Sequence, residues 1–590
     1  MFQNAVAAHG RGELEAARAL YEAALADPAA PRADILNNLA TIAFAKGQFP
    51  EAERQARSAL AADPDSANAF NTLGLALQHQ GRDREAIAAF RACVAGERGH
   101  HRAWANMAAS FSRDGRHVAA LAAMERALTL APELYRNKLA TVLYLKLDML
   151  KWDGIDALAR QAQAMVRAGQ PFNPYVLLFI CLDPEAFRAA SRNHARHLAK
   201  AAAALPAWKA PADANKGRIR VGYFSRTLRD HATGHLVREM LAAHDRARFE
   251  IFLYPYADGP RDAFETALLA SAEHAVDLAP LDDGAALERI RRDRLDVLID
   301  IDGYGNDGRS IITAARAAPV QVNWLGFLAT MGSPAIDYII ADNLTVPDGS
   351  RAAFDEQVVR LPGGFMPSDS RRAVSDRFKT RADLGLPEDR VVMAAFNQAR
   401  KIGPATLDMW AAVLRQAETA VLWVWQINRV SGDGIVAELG RRGVASDRVI
   451  RAPSLPTADH LCRLRFADFF LDTFPYNGHT MTHDALFMGL PGVTLAGRTY
   501  PSRVAASLLA RVGLSALIAT TPESYVARAV ALARDPEARR QARATLAAEA
   551  ARTGVFSGVR YVREFEAALA RMAARARAGL PPEAFDVPRL

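Results

Sequence analysis

Cysteine is scarce in this sequence. The chain has 590 residues but three cysteines, Cys93, Cys181 and Cys462, and these lie far apart. Three isolated thiols form neither a disulfide framework nor a cluster of metal ligands. This excludes a small disulfide-stapled fold and a zinc-finger fold, and it predicts a protein of the reducing cytoplasm.

Long apolar stretches and runs of like charge are also missing. No segment approaches the roughly 18 apolar residues that a membrane-spanning helix needs, and the N-terminus lacks the features of a signal peptide. The net charge is +8, but the 73 cationic and 65 anionic residues are spread along the whole chain. Since no block of like charges stands out, we expect neither a membrane partner nor a nucleic-acid-binding surface.

Lysine is rare compared with arginine, with nine lysines against 64 arginines. Lys401 is the notable one, because it follows a predicted buried strand, Val391–Phe396, at the end where α/β proteins bind ligands. An ammonium group at such a strand end is a candidate phosphate contact. A lysine in an ordinary surface loop has the same appearance in sequence.

The first 135 residues contain a repeat. Glycines recur at spacings of 35, 34 and 34, at Gly12, Gly47, Gly81 and Gly115. An alanine follows each glycine four to five residues later, at Ala16, Ala52, Ala86 and Ala119. This is the period and pattern of tetratricopeptide repeats, which stack helix pairs into an α-solenoid. The pattern predicts about three and a half repeats.

One polar residue recurs at the same position of three leading helices. Asn38, Thr72 and Asn106 each precede an apolar residue that is expected to pack inward. Side chains at these positions can form a polar ladder on the concave surface and hold a peptide backbone by hydrogen bonds. The alternative is that they are solvated positions with no partner.

After the repeats, the pattern changes twice. Residues 136–216 predict a helical connector that ends in a linker, Ala203 to Gly217, containing two prolines and a glycine. From there strands and helices alternate in two sets, 217–380 and 381–590, which predict two Rossmann-like domains that face a cleft.

A turn rich in polar residues follows the strand Phe469–Leu471 in the second set. In the stretch Phe474–Asp484, Asn477 and Gly478 turn the chain, and Thr480 or Thr482 can cap the next helix. A helix start offers free backbone amides and a positive dipole, so we interpret this stretch as a diphosphate-binding site. An ordinary strand-to-helix loop, in which the threonines only cap the helix, fits the same residues.

Three motifs carry a family resemblance. Phe396–Pro404, Asn477–Thr480 with Asp484, and Ser502–Ser507 occur in the order seen in protein O-GlcNAc transferases. The chain therefore resembles these family 41 glycosyltransferases, which have the GT-B fold and transfer a sugar from a nucleotide to Ser or Thr hydroxyls. The resemblance covers most of the chain, from about Ile219 to about Met572, with repeats of the expected kind before it.

The resemblance implies roles on the nucleotide side. Lys401 is expected to contact the diphosphate and to act as the main electrostatic catalyst, and Asp484 to hold the ribose. The remaining residues expected to surround the nucleotide are Gln398, Leu455, Pro456, Thr457, His460, Arg463, His479, Thr480 and Met481. The family often has lysine in place of Thr457 and threonine in place of Met481, which puts the identity of the donor in doubt.

It also implies roles on the acceptor side. His231 corresponds to a residue proposed as the general base, and a histidine suits that task near neutral pH. Asp300 and Gly332 belong to segments near the sugar pocket. Asp300 and Asp302 form a DxD pattern, which holds a metal in another glycosyltransferase fold, but here it ends a strand and the resemblance implies no metal. A purely structural turn fits the loop around Gly332 equally well.

The function that the resemblance implies is inverting, metal-independent transfer of GlcNAc from UDP-GlcNAc to proteins. The repeats are expected to hold the polypeptide acceptor, and no cofactor is expected beyond the nucleotide sugar as co-substrate. Self-association is left open. The alternatives are another donor, such as GDP-fucose or UDP-glucose, and a repeat scaffold that has lost catalysis.

Overall fold

The chain divides into two compact units. The computed structural model describes residues 1–209, 217–305 and 308–589, and the units are Met1–Lys146 and Leu147–Leu590. The repeats had been predicted to end at residue 135. Across the described residues, every helix is too short or too polar to cross a membrane.

The first unit is built from helices that pack in consecutive pairs. The helices are α1 (Phe2–Gly10), α2 (Leu14–Ala24), α3 (Arg32–Ala45), α4 (Phe49–Ala62), α5 (Ala67–His79), α6 (Asp83–Gly96), α7 (His101–Arg113), α8 (His117–Leu130) and α9 (Pro132–Tyr135). The leading helix of the first pair is short, as the sequence predicted.

The repeating glycine forms the turn inside each helix pair. Its φ angle is 80° at Gly12, 73° at Gly47, 75° at Gly81 and 73° at Gly115, a left-handed conformation that favours glycine. The buried alanine comes five residues after each glycine, at Ala17, Ala52, Ala86 and Ala120. In the first and last repeats this is the residue after Ala16 and Ala119, because adjacent alanines in a helix cannot be told apart by pattern alone.

Three further helices lie between the repeats and the first strand, and short 3₁₀ segments occur there and between the strands and helices that follow. The helices are α10 (Leu139–Asp148), α11 (Ile155–Arg167) and α12 (Pro184–Ala202). The 3₁₀ segments are Arg136–Lys138, Pro174–Phe179, Asp348–Ala353, Ala382–Leu384, Ala399–Lys401, Ser446–Arg448, Tyr500–Ser502 and Ser515–Leu517. Within the predicted linker, residues 210–216 lie outside the described part of the chain.

The first α/β domain contains an eight-stranded parallel sheet. Its strands are β1 (Ile219–Ser225), β2 (Phe249–Pro255), β3 (His274–Ala275), β4 (Val297–Asp300), β5 (Val320–Asn323), β6 (Tyr338–Ala341), β7 (Gln357–Arg360) and β14 (Phe585–Asp586). Its helices are α13 (Ala232–Ala242), α14 (Ala263–Leu269), α15 (Asp283–Arg292) and α16 (Ser310–Ala314).

The second α/β domain contains a six-stranded parallel sheet. Its strands are β8 (Val391–Ala395), β9 (Ala420–Trp425), β10 (Val449–Ala452), β11 (Phe469–Leu471), β12 (Gly492–Leu495) and β13 (Ile518–Ala519). The helices are α17 (Pro404–Gln416), α18 (Arg429–Arg441), α19 (Thr457–Leu464), α20 (Thr480–Phe487), α21 (Val504–Arg511), α22 (Pro522–Arg534) and α23 (Pro536–Thr553).

The first six strands have the same order in both sheets, and this order indicates where a ligand site lies. The sequence of neighbours is β3-β2-β1-β4-β5-β6-β7-β14 in the first sheet and β10-β9-β8-β11-β12-β13 in the second. In each, the chain reverses its direction of winding between the first strand and the fourth, and ligands bind at such switch points. The predicted fold class, an α-solenoid followed by two Rossmann-like domains, is confirmed.

The predicted second domain, 381–590, needs a correction at its C-terminal end. Helix α24 (Gly558–Arg577) packs against α13, β4 and β5, and β14 pairs with β7, so both belong to the first domain. The aromatic ring of Phe565 lies 4.7 Å from that of Trp324. The apolar face of α24 is buried against the first sheet, so the chain ends in the first domain. Strand and helix patterns in the sequence could not indicate this contact.

Candidate active site

A cavity of about 360 Å³ lies where the carboxyl ends of the two sheets face each other. Its walls come from both α/β domains and from the connector. Eleven of the predicted site residues line it: His231, Gln398, Lys401, Leu455, Thr457, His460, Arg463, His479, Thr480, Met481 and Asp484. Stretches separated by more than two hundred residues thus meet at one place, as the switch-point rule predicts.

Three predicted residues do not line the cavity. Pro456 immediately precedes α19, between two residues that do. Gly332 packs against α12, where an added Cβ atom would lie 2.7 Å from the backbone nitrogen of Arg192. Asp300 is buried at the end of β4. From the loop that contains Gly332, Leu325 and Gly326 reach the cavity instead.

A buried carboxylate shapes the turn after β11. Asp472 accepts a hydrogen bond from the backbone N–H of Gly478 over 2.6 Å and another from the Thr494 hydroxyl over 2.6 Å. A Cβ atom on Gly478 would lie 2.8 Å from Oδ1 of Asn397 and 2.8 Å from the hydroxyl oxygen of Thr482. The turn therefore requires glycine, because no larger residue fits there.

Helix α20 begins beside this turn without a side-chain cap. His479 occupies the N-cap position, and no side chain accepts a hydrogen bond from the first-turn amides. The expected cap by Thr480 or Thr482 is wrong, since the helix starts at Thr480 and the Thr482 hydroxyl is buried inside it without a partner. Uncapped amides at the positive end of a helix are suited to an anion.

Lys401 points at the same turn. Its Nζ donates a hydrogen bond to the carbonyl of Asn477 over 2.9 Å and lies 4.0 Å from the centre of the Tyr476 ring. Burial lowers the pKa of Lys401 well below its ordinary value, and the nearby Arg400 charge lowers it further, although Asp472 opposes the shift. The surroundings of Nζ thus compensate an ammonium charge only in part.

A stack of aromatic rings packs beside Lys401. Tyr476 stacks on His479 at 4.5 Å and on Phe179 at 4.9 Å. Phe179 and Tyr175 come from the connector and line the cavity. Burial lowers the pKa of His479 well below its ordinary value, so its ring is neutral near pH 7. The sequence had indicated no chemistry in the connector, because isolated aromatic residues in a helical segment carry no motif.

His460 and Arg463 form a second pair of cavity residues, on the α19 side. Nδ1 of His460 accepts hydrogen bonds from Nε and Nη2 of Arg463, over 3.1 Å and 2.7 Å. The guanidinium carbon of Arg463 lies 4.4 Å from the centre of the Phe396 ring, and Nη1 donates to the Pro453 carbonyl over 2.6 Å. Arg463 is 1% exposed. It therefore orients His460 and is largely committed to protein partners.

Asp484 is paired with an arginine that the sequence did not indicate. Nη1 of Arg372 donates to Oδ1 of Asp484 over 2.6 Å. Burial alone would raise the pKa of Asp484, but the Arg372 charge holds it well below its usual range. Arg372 lies in the segment between the two sheets and lines the cavity. The sequence did not indicate Arg372 as a site residue, because a single arginine outside any motif does not stand out in an arginine-rich chain.

His231 is the N-cap residue of α13. Its Nδ1 accepts a hydrogen bond from the backbone N–H of Thr233 over 3.2 Å, so the neutral ring carries its proton on Nε2. The ring is open to the water of the cavity, yet protein atoms enclose it enough to lower its pKa from the ordinary value. In this tautomer Nε2 is the ring nitrogen that can donate a hydrogen bond.

The neighbouring His235 bridges the two α/β domains. Its Nε2 lies 2.7 Å from Oδ1 of Asp230 and 3.3 Å from the hydroxyl oxygen of Thr457. Thr457, one of the two departures from the family pattern, therefore has a partner across the cavity. Met481, the other departure, is 7% exposed.

The two DxD carboxylates are occupied by protein donors. Asp300 accepts hydrogen bonds from the amides of Asp302 and Gly303 over 3.1 Å and 2.8 Å. Asp302 accepts from Ser225, from the Arg226 amide and from Tyr256. Burial raises the pKa of Asp300 to about 7. Among the described residues, no group of three or more His, Cys, Asp or Glu side chains is placed to hold a metal ion.

Comparison with known proteins agrees with this geometry. The sequence profile described as glycosyl transferase family 41 matches residues 182–379 and 372–565. The chain belongs to glycosyl transferase family 41. A tetratricopeptide-repeat profile matches residues 32–62, which form α3 and α4.

Two family 41 relatives illustrate the extent of the similarity. The probable UDP-N-acetylglucosamine–peptide N-acetylglucosaminyltransferase SEC of Arabidopsis thaliana is 28% identical over 428 residues, covering 70% of this chain and 44% of the relative. The UDP-N-acetylglucosamine–peptide N-acetylglucosaminyltransferase of Caenorhabditis elegans is 27% identical over 479 residues, covering 62% and 42%. This chain thus spans less than half the length of these curated relatives.

A solved family 41 structure has similar length. A lysine-to-methionine variant of the Thermobaculum terrenum O-GlcNAc transferase matches with a TM-score of 0.68 and 28% identity, covering 93% of this chain and 98% of that one. This similarity confirms the predicted GT-B architecture.

The lowered pKa of Lys401 leads to a prediction about proton uptake. A diphosphate beside Nζ favours the charged ammonium, so the pKa should be higher in the complex than in the free protein. Affinity for UDP should therefore be greatest below the free-state pKa and should fall as the pH rises towards the bound-state pKa. Calorimetry above pH 8, in two buffers with different ionisation enthalpies, should show net proton uptake. A Lys401→Met variant should lose that uptake, and equal uptake in the variant would contradict the assignment.

Proposed function

We propose that this chain is an inverting, metal-independent glycosyltransferase that moves GlcNAc from UDP-GlcNAc to Ser or Thr hydroxyls of proteins. One observation carries the proposal. In a family 41 chain, Lys401, the uncapped start of α20 and the ionised Asp484 meet in one cavity at the switch point of the second sheet. Such a set can bind the diphosphate and the ribose of a nucleotide sugar.

The leaving diphosphate is stabilised by groups that are already in place. Lys401 exchanges its hydrogen bond with the Asn477 carbonyl for one with a phosphate oxygen, and the amides of Thr480 and Met481 face the other oxygens. Charge that develops on the diphosphate in the transition state then meets preorganised donors in a site that excludes much of the water. His479 is neutral because it is buried, so it adds a hydrogen-bonding group near the diphosphate but no further charge.

The acidic residues of the cavity support a single displacement. Among the described residues that line it, Asp484 is the one carboxylate, and Arg372 holds it. A double displacement with retention needs an enzyme nucleophile at the anomeric carbon, and a carboxylate tied to the nucleotide cannot supply one. Direct attack by the acceptor hydroxyl, with inversion, is the pathway that this arrangement favours.

We propose that His231 serves the acceptor side. Through Nε2 it can donate a hydrogen bond to the sugar or the acceptor. To act as the general base, it must take the acceptor proton on Nε2, which requires the other tautomer and the loss of the Thr233 contact. We therefore propose His231 as the acceptor-side residue. Its tautomer determines whether it acts as a hydrogen-bond donor or as the general base.

The repeats are proposed to hold the polypeptide. The side chains of Asn38 and Asn106 are partly exposed, and Nδ2 of Asn106 donates to Oδ1 of Asn71 over 3.1 Å. Thr72 is 4% exposed, and its hydroxyl donates to the Asn68 carbonyl over 3.0 Å. Asn38 and Asn106 are therefore the members of the proposed ladder that can offer amide hydrogen bonds. The three free cysteines suit the cytoplasm, where we place the protein.

Lys401→Ala tests the catalytic proposal. Loss of one preorganised donor to the leaving group should cost about 2.7 to 4 kcal/mol of barrier, or roughly 10² to 10³ in turnover. Transfer from UDP-GlcNAc, UDP-glucose and GDP-fucose to an acceptor protein would be followed by mass spectrometry. The exposed Lys379, which pairs with Asp376, provides a matched control. Near-wild-type turnover by Lys401→Ala would refute the role, and transfer from a different sugar nucleotide would correct the donor.

Metal independence has its own test. Because Lys401 and the start of α20 are proposed to neutralise the diphosphate, activity should survive an excess of EDTA. The carboxylates of Asp300 and Asp302 already accept hydrogen bonds from the protein. Complete loss of activity with EDTA, restored by Mn²⁺, would identify those two aspartates as metal ligands.

Substitutions in the ladder separate acceptor binding from chemistry. Replacing Asn38 and Asn106 with alanine removes amide partners worth on the order of 0.5 to 1.5 kcal/mol each. Glycosylation of a protein should weaken by roughly tenfold, whereas slow hydrolysis of the donor by water should be unchanged. Asn4→Ala, an exposed asparagine in α1, is the control. Equal loss of both activities would mean that the repeats support folding of the catalytic part.

A further inference from the structure

Arg372 connects the segment between the two sheets to the nucleotide side of the cavity. Its side chain is 4% exposed, and its Nη1 lies 2.6 Å from Oδ1 of Asp484. The guanidinium carbon lies 5.5 Å from the centre of the Phe487 ring. Nε has no hydrogen-bond partner within the described chain. The guanidinium is thus held in place by one ion pair and one aromatic ring.

Asp484 has no comparable second cation around it. Nε2 of His460 lies 3.9 Å from its Oδ2, and Nδ1 of His483 lies 3.6 Å from its Oδ1. Burial lowers the pKa of both histidines, to about 4 for His460, where the adjacent Arg463 charge adds to the effect. Both rings are neutral near pH 7. Of the described groups that act on Asp484, Arg372 is the one that carries a full positive charge.

The two oxygens of Asp484 therefore differ. Oδ1 receives the hydrogen bond from Arg372, whereas Nε2 of His460, at 3.9 Å from Oδ2, is too distant for a hydrogen bond. Oδ2 belongs to a side chain that lines the cavity. A carboxylate oxygen with free lone pairs, fixed in direction by a buried partner, is suited to accept from a hydroxyl of a ligand.

We propose that Arg372 is a positioning residue that aims Oδ2 of Asp484 at a ribose hydroxyl, and that the pair selects ribonucleotides over their deoxy counterparts. The inference rests on the proposed function in one respect, that the cavity binds a nucleoside diphosphate. Removing Arg372 leaves a buried carboxylate without its counter-ion, which then takes up a proton or turns away from the ligand. Either change removes the acceptor that reads the hydroxyl.

The test measures binding of UDP, 2′-deoxy-UDP and 3′-deoxy-UDP by calorimetry. Wild-type protein should bind UDP roughly tenfold more tightly than at least one deoxy analogue, because that analogue leaves Asp484 unpaired. In Arg372→Met the affinity for UDP should fall by roughly tenfold, and the ratio between UDP and that analogue should approach one. Arg372→Lys, which keeps the charge but not the planar fork, should recover part of the loss.

Two controls separate positioning from folding. In the D484N background, a further Arg372→Met change should alter UDP affinity less than about twofold, since a residue that acts through another has no effect once the other is removed. Arg371→Met is the matched control, because the Arg371 side chain is 58% exposed and does not line the cavity. It should bind all three ligands as the wild type does. Thermal unfolding would be recorded for every variant.

The pH dependence provides an independent measurement. In the wild type Asp484 stays ionised from about pH 5 to pH 8, because its pKa is depressed. In Arg372→Met the strongest group that opposes burial is removed, so the pKa of Asp484 should rise and the ratio of variant to wild-type dissociation constants should grow as the pH falls. Taking the ratio cancels the contribution of Lys401, which is present in both proteins.

Three results would overturn the inference. Arg372→Met could bind UDP as tightly as the wild type does. Arg372→Met could lower the affinity for all three ligands equally, while D484N still binds UDP more tightly than the deoxy analogues. If Arg372→Met does not fold, Arg372→Lys takes its place. A folded Arg372→Lys variant that distinguishes UDP poorly from its deoxy analogues at every pH would also overturn the inference. A wild-type protein that binds no nucleoside diphosphate would instead refute the proposed function together with the inference.

Discussion

The hydrogen bond from the Gly478 amide to the buried Asp472 carboxylate is the constraint on which the site depends. Asp472 is 1% exposed and sits directly after β11, and the Tyr525 hydroxyl also donates to its backbone carbonyl. The turn that it closes presents the Asn477 carbonyl to Lys401 and starts α20 in the right direction. Because Asn397 and Thr482 pack against Gly478, a shift of this turn would displace the lysine and the helix start together.

The charges of the cavity fall into two groups. Burial lowers the pKa values of Lys401, His479 and His460, so each of these groups is harder to protonate in the cavity than in water. In the proposed function, the negative charge of a diphosphate makes a protonated Lys401 favourable. Arg372 and Asp484 behave differently, because each compensates the other whether or not a ligand is present. In the proposed function, Lys401 therefore responds to the ligand, whereas the pair of Arg372 and Asp484 is already formed without it.

Residues far apart in the chain support these charges. Phe179 of the connector stacks on Tyr476, whose ring faces the ammonium group of Lys401. His235 of the first α/β domain reaches Thr457 of the second. The change from lysine, frequent in the family, to Thr457 thus replaces a charge by a contact across the cavity.

The sequence by itself determined the order of the domains, the repeat period and the strand ends that carry Lys401, His231 and the turn at Gly478. These features are local, because periodicity, glycine positions and strand-to-helix junctions are written in consecutive residues. The tertiary structure alone decided that Arg372 pairs with Asp484, that Phe179 lies beneath the site, and that α24 returns to the first sheet. It also decided that Asp300 and Gly332 lie outside the cavity. Such contacts join residues that are distant in sequence, and their geometry depends on how apolar faces pack and how buried charges find partners, which no local pattern encodes.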